Sequence, residues 1–230
     1  MPESVVSVEP MGDSALIVRW SLRDDEVAER IRCASEALKQ GLPVDQYATV
    51  PAFDTLTVHF DPTQVHVTDA TRRVQFVLSS TSTMREVLPR VVEIPVCYDT
   101  SLAPDLEHVA ERCGVSTADV VRLHTEASYT VRMIGFSPGF PYLSGLPPAI
   151  HCPRRETPRM TVPAGSVAIG GPQTGIYPQA TPGGWNVIGR TPVRLFAPAR
   201  LEPCLLTAGD RVRFTQIERS AFDNFSDAAE

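Results

Sequence analysis

Lysine is almost missing from this 230-residue chain: Lys39 is the single one, so positive charge rests on arginine. No G-x-x-x-x-G-K-[ST] phosphate loop is present. After residue 39 no lysine exists to clamp phosphates, form a Schiff base or carry biotin. Long apolar runs are missing too. Nothing approaches the roughly 18 to 20 residues of a membrane-spanning helix, and the first residues, MPESVVSVEP, have neither the basic start nor the apolar stretch of a secretion signal. A cytoplasmic protein is the expectation.

The five cysteines, Cys33, Cys97, Cys113, Cys152 and Cys204, are scattered and form no C-x-x-C pair, which predicts reduced thiols. The five histidines show no H-E-x-x-H spacing, so no metal is assigned. A net charge of -6 argues against nucleic acid as the main partner. Carboxylates are scarce where the chemistry-bearing residues crowd: Glu156 is the single acid between residues 129 and 200, against seven arginines. That stretch cannot supply the paired acids of a glycosidase or the acidic clamp of a two-metal site. Its arginines either attract a small anion or pair with acids of other segments; charge alone leaves both open.

The first ninety residues alternate short strands and helices. Apolar residues 14–20 follow a Gly12-Asp13 turn. Ser21 offers an N-cap, and Val27, Ile31, Ala34 and Leu38 recur at helical spacing before Gly41. Strands are predicted over 44–50 and 55–60, a second helix over 68–79, and a further strand over 91–97. This order is that of a split βαβ, ferredoxin-like unit, unless its last strand opens the next domain. The polar run 79–83 is the linker candidate, which divides the chain into a small α/β domain (1–83), a β domain (84–218) and a polar tail (219–230). The fold class is α+β.

Two short helices are predicted between residues 104 and 127, the second capped by Ser116 and carrying His124. A strand follows over 129–136, and then helical periodicity ends. Thirteen of the 21 prolines and ten of the 14 glycines fall between Gly135 and Pro203. Short strands (166–169, 186–188, 193–196) between Gly/Pro turns predict a closed or nearly closed β structure, with a last strand over 211–216.

Within it, Gly135-Phe136-Ser137-Pro138-Gly139 matches the G-x-S-x-G nucleophile elbow. Pro138 has no N–H to serve as the oxyanion donor that the elbow takes from the residue after its serine. Gly170-Gly171 and Gly183-Gly184 serve either as anion-cradling backbone or as tight turns. Tyr142, Tyr177 and Trp185 offer apolar walls, and Gln173, Arg159 and Arg190 offer hydrogen bonds and charge, together a set suited to a small polar acid. His124 is the candidate for proton transfer.

Four runs in order carry a resemblance: GFSPGFPYL (135–143), VPAGSV (162–167), GGPQTGIYP (170–178) and TPGGWNVIGRT (181–191). They resemble the family of the 5-oxoprolinase B subunit, KipI and allophanate hydrolase subunit 1, strongly over residues 93–214 and loosely before. The resemblance implies a cyclophilin-like β-barrel after a small α/β domain, a C-type partner subunit of related fold, and an A-type subunit completing a complex that opens 5-oxoproline to L-glutamate. It implies ATP, with magnesium as its counter-ion, at the assembled complex. Two other family roles are a KipI-like inhibitor of a sensor histidine kinase and a subunit of allophanate hydrolase or urea amidolyase. Relatives carry a glycine pair where this chain has Asp99-Thr100.

Overall fold

The computed structural model describes residues 5–20, 25–80 and 89–225. Two units separate, Met1–Pro89 and Arg90–Glu230. Both mix helices with mainly antiparallel strands.

In the first unit, β1 (Val5–Pro10), β2 (Ala15–Trp20), β4 (Thr55–Phe60) and β3 (Tyr47–Ala52) lie side by side in that order, all antiparallel. The helices α1 (Asp25–Gly41) and α2 (Val67–Ser80) cover one face. The helical spacing predicted for α1 is the one it buries: Val27, Ile31, Ala34 and Leu38 meet Leu16, Val18, Leu56 and Val58 in one cluster. Of the two readings of the strand over 91–97, the one in which it opens the next domain holds, and the outer place beside β2 belongs to β1, which was not predicted. The predicted strand over 44–50 starts at Tyr47, after a turn in which Tyr47 N–H donates to Pro43. The Ser21 cap and the linker beyond Ser80 lie outside the described residues.

In the second unit, β5 (Val91–Val96) pairs parallel with β13 (Arg211–Gln216). From β13 the ladder runs antiparallel through β6 (Tyr129–Ile134), β7 (Pro141–Ser144), β10 (Gln173–Ile176), β9 (Ser166–Gly170) and β12 (Asn186–Arg190). The cyclophilin-like barrel expected of the resemblance is not met as a closed ladder: β12 returns to the β5 end through one isolated bridge, Cys97 with Arg190, whose two N–H···O bonds are 2.8 and 2.9 Å. Gly189 makes this seam possible, since a Cβ there would lie 2.8 Å from a Val96 methyl. A small second sheet pairs β8 (Arg159–Val162) with β11 (Thr181–Gly183).

The predicted strand over 193–196 is no strand; only Phe196 bridges to Cys204. After β13 the chain forms a short helix, α5 (Arg219–Asp223). Helices α3 (Leu106–Cys113) and α4 (Thr117–Glu126) pack on the sheet, and Ser116 caps α4 by accepting from Asp119 N–H at 3.1 Å. All five cysteines are free thiols. Among the described residues no helix is long and apolar enough to cross a membrane.

Candidate functional site

Strand alternation sorts the second unit's residues into two layers. Leu143, Val167, Ile169, Ile176 and Ile188 point into the main core. Their neighbours point the other way, and Ala168, Tyr177 and Val187 join Phe140, Val162 and Trp185 in a second cluster with Tyr142 against it. Gln173 pairs with Gly170 across the ladder, and Gly175 with Tyr142, so all four share this outer face.

The glycines of that face are a floor. A Cβ on Gly170 would lie 2.5 Å from the Trp185 ring, and one on Gly175 would lie 2.9 Å from Phe140 and 3.0 Å from Trp185. Bare backbone lets the indole lie on the strands. Edge-to-face contacts then link Phe140 to Tyr142, Tyr177 and Trp185 at 5.0, 5.2 and 5.6 Å between ring centres. Phe136 completes the group from the β6–β7 turn, 59% exposed, at 5.3 Å from Phe140 and 6.2 Å from Tyr177.

Phe136 also holds φ at 67°, a left-handed conformation that costs a large side chain about 1 kcal/mol or more. The turn imposes it: Ser137 N–H donates to Gly135 at 2.8 Å and Phe140 N–H to Ser137 at 3.0 Å. The chain then runs straight into β7. A nucleophile elbow would enter a helix, and here the G-x-S-x-G sequence closes a hairpin with the Ser137 hydroxyl buried and unpaired.

Charge enters through a residue that the sequence analysis did not select. Asp105 is 2% exposed and stands at the N-cap of α3, yet its carboxylate caps nothing. It accepts instead from Arg159 at 2.6 and 2.8 Å, from Arg155 at 2.7 Å and from the Val187 N–H at 2.7 Å. Burial pushes its pKa up, but the Arg159 and Val187 hydrogen bonds and the two guanidinium charges outweigh that and leave it below the ordinary carboxylate value. Two arginines against one carboxylate leave a net positive charge. Arg154 adds another, its guanidinium carbon 5.8 Å from the Trp185 ring centre.

The expected binding residues thus divide. Tyr142, Gln173, Tyr177, Trp185 and Arg159 lie around one aromatic, cationic face, although Arg159 already commits both terminal nitrogens to Asp105. Arg190 sits at the other end of β12, where its Nε donates to the Ala164 carbonyl at 2.8 Å. The glycine pairs act as packing and turn residues: Gly171 N–H donates to the Cys152 carbonyl at 2.7 Å, and Gly183 lies against Tyr177.

His124 corrects the proton-transfer expectation. It is 0% exposed and stacks on Phe214 at 4.5 Å. Thr174 donates its only hydroxyl proton to the Ala168 carbonyl at 3.0 Å, so His124 Nε2 must donate to Thr174, also at 3.0 Å. Nδ1 then accepts from the Tyr98 hydroxyl at 2.8 Å. Burial lowers the imidazole pKa to about 3, which keeps the ring neutral at pH 7. With both nitrogens satisfied inside the core, the ring has nothing to offer a substrate. The outer face, for its part, can bind and orient a small acid, while it brings together no nucleophile with a base.

Three comparisons show what this chain is similar to. The family model for the carboxyltransferase domain, subdomain C and D, matches residues 6–206. The B subunit of 5-oxoprolinase from Bacillus subtilis (strain 168) is 39% identical over 231 residues, covering 96% of each chain. Its counterpart from Escherichia coli O157:H7 is 50% identical over 165 residues, covering 72% of this chain and 75% of its own. The crystal structure of TTHA0988 superposes with a TM-score of 0.78 at 38% identity, over 90% of this chain and 40% of that longer one. This chain therefore spans about two fifths of that solved protein.

Proposed function

This chain belongs to the carboxyltransferase-domain family, subdomain C and D, and on that premise we propose that it is the B subunit of an ATP-dependent 5-oxoprolinase. The observation that carries this reading is the 39% identity that runs through 96% of both chains to a protein of that name. The reaction is the opening of the 5-oxoproline lactam to L-glutamate by a cytoplasmic complex with a C-type subunit of related fold and an A-type subunit. A protein named as one subunit implies others. The solved relative that extends well beyond the matched region supports a larger assembly around this fold.

In this reading the outer face takes the substrate. Tyr142, Tyr177 and Trp185 wall the ring, Gln173 meets its amide, and Arg154 and Arg159 provide the field that draws its carboxylate. The chain's own residues bind, orient and exclude water; the bond-breaking groups come from the partners.

ATP and its magnesium ion belong, in this reading, to the assembled complex. Of the glycine pairs, Gly171 gives its N–H to the Cys152 carbonyl and Gly183 lies against Tyr177, and no lysine follows residue 39. The described residues bring together no cluster of three His, Cys, Asp or Glu suited to a metal ion. When bound, the nucleotide supplies the drive for an otherwise unfavourable ring opening.

The test is reconstitution. Glutamate release from 5-oxoproline should need ATP and all three purified subunits, and omission of this chain should abolish it. Unchanged release without it, together with tight binding to a histidine-kinase dimerisation domain, would overturn the reading in favour of an inhibitor. In the same assay Ser137→Ala should stay within about twofold of wild type, whereas loss of a true serine nucleophile costs about a millionfold. A loss on that scale would restore the elbow.

A further inference from the structure

Away from the aromatic face, a cavity of 630 Å³ opens at the far end of β12. Its wall is built from four distant parts of the chain: the turn at Ala164 and Gly165, the loop at Pro178 to Ala180, residues between Arg190 and Pro198, and Phe222 of α5. Arg190 and Arg194 line it, and no acidic side chain does. Among the described residues neither arginine has an ion-pair partner, in contrast to Arg155 and Arg159 on Asp105.

The wall is held together by close packing and hydrogen bonds. Gly165 holds φ at 80°, and a Cβ there would lie 2.3 Å from the Thr191 carbonyl oxygen, so only glycine allows the two segments to touch. Gly165 N–H donates to Tyr177 at 2.7 Å, Thr191 N–H to Gly165 at 2.9 Å and Val193 N–H to the Thr191 hydroxyl at 3.2 Å. Arg190 is held at its backbone by both bonds of the Cys97 bridge and at its side chain by the Ala164 carbonyl. The α5 roof is tied down by Arg219, which donates to Ser101 at 2.7 Å and pairs with Asp223 at 2.9 Å.

From this geometry we infer a second binding site, for a small oxyanion carried on a compact apolar body, with Arg190 and Arg194 holding the oxygens and Phe196, Phe222, Pro178 and Pro192 enclosing the rest. Guanidinium forks match carboxylates and phosphates alike, and a fixed wall lowers the ordering cost of binding. The site does not depend on the identity of the enzyme reaction. It concerns residues that the aromatic face does not use.

Calorimetric titration of the purified chain with 5-oxo-L-proline, inorganic phosphate and magnesium-free ATP tests it, the three probes separating a carboxylate from a free phosphate and from a nucleotide. At least one should bind with a Kd of about 1 mM or tighter. Arg194→Glu, on an exposed side chain, should weaken that probe at least about tenfold, as should Arg190→Gln, while Arg213→Gln on β13 leaves it unchanged. If Arg190→Gln does not fold, Arg194→Glu decides. No binding of any probe up to roughly 10 mM, or equal affinity in Arg194→Glu and wild type, overturns the proposal. Because no turnover is measured, its failure leaves the reconstitution result standing, and the reverse.

Discussion

Asp105→Asn should destabilise the second unit by about 3 kcal/mol, one of the two largest effects expected in this protein. The exchange keeps the shape of the side chain and removes the charge that two arginines share. Breaking a buried ion pair from one side leaves the remaining charge uncompensated, which costs about 3 to 5 kcal/mol where burial is complete. Here Asp105 is buried but the side chains of Arg155 and Arg159 are 33% and 27% exposed, so solvent recovers part of that and the lower end applies. The Val187 N–H also loses a charged acceptor at 2.7 Å.

Each unit holds one tryptophan, Trp20 in the first and Trp185 in the second, so urea unfolding followed by fluorescence in a Trp20→Phe background reads the second unit alone. A shift below about 0.5 kcal/mol would place Asp105 among ordinary surface acids. The pH dependence has a definite sign. With a folded-state pKa below the usual 3.8, the Asp105 contribution is complete above that value and is lost as pH falls through the depressed one. Below about pH 4, wild type and variant should converge.

The second large effect lies at milder acidity and belongs to His124. In the unfolded chain its pKa is the ordinary 6.5, and in the folded core about 3, so between these values the unfolded state binds the extra proton. Stability therefore falls as pH drops from 6.5, by up to about 1.4 kcal/mol per pH unit, and levels off near pH 3. By about pH 4.5 the loss reaches about 3 kcal/mol, before Asp105 begins to protonate. His124→Gln retains a hydrogen-bonding side chain and cannot titrate. Unfolding free energies of the second unit between about pH 7 and 4.5 should be markedly flatter in the variant. Identical slopes in the two proteins would mean that His124 reaches solvent and would reopen its role as an acid or base.

The two residues mark the limits of a linear reading from opposite sides. His124 stood out in the sequence as a titratable group near a cluster of functional residue types, and the fold seals it between Phe214 and Tyr98. Asp105 was not singled out in the sequence, and the fold places it under two arginines that are 50 and 54 residues away. The short strands were lost for a local reason. Both β7 and β10 span four residues, with Pro141 and Gly175 inside them, too brief and too interrupted for a period of two to register. The strand expected over 193–196 had the right composition, but its pairing is limited to one bridge, Phe196 with Cys204, beside the Leu205 N–H donated to Leu195.

By itself the sequence determined the α+β class, the helical face of α1, the Ser116 cap, the absence of a lysine phosphate loop, and the four runs that carry the family. Each of these depends on residues within a few positions of one another, where spacing and backbone chemistry act directly. Tertiary structure alone decided that Arg159 answers to Asp105, that Arg190 belongs to a separate cavity, that His124 is sealed, and that the two ends of the ladder meet through a single isolated bridge. All four are matters of which distant segments share a surface. The outcome rests on burial and on competition for hydrogen-bond partners, quantities that no single stretch of chain contains.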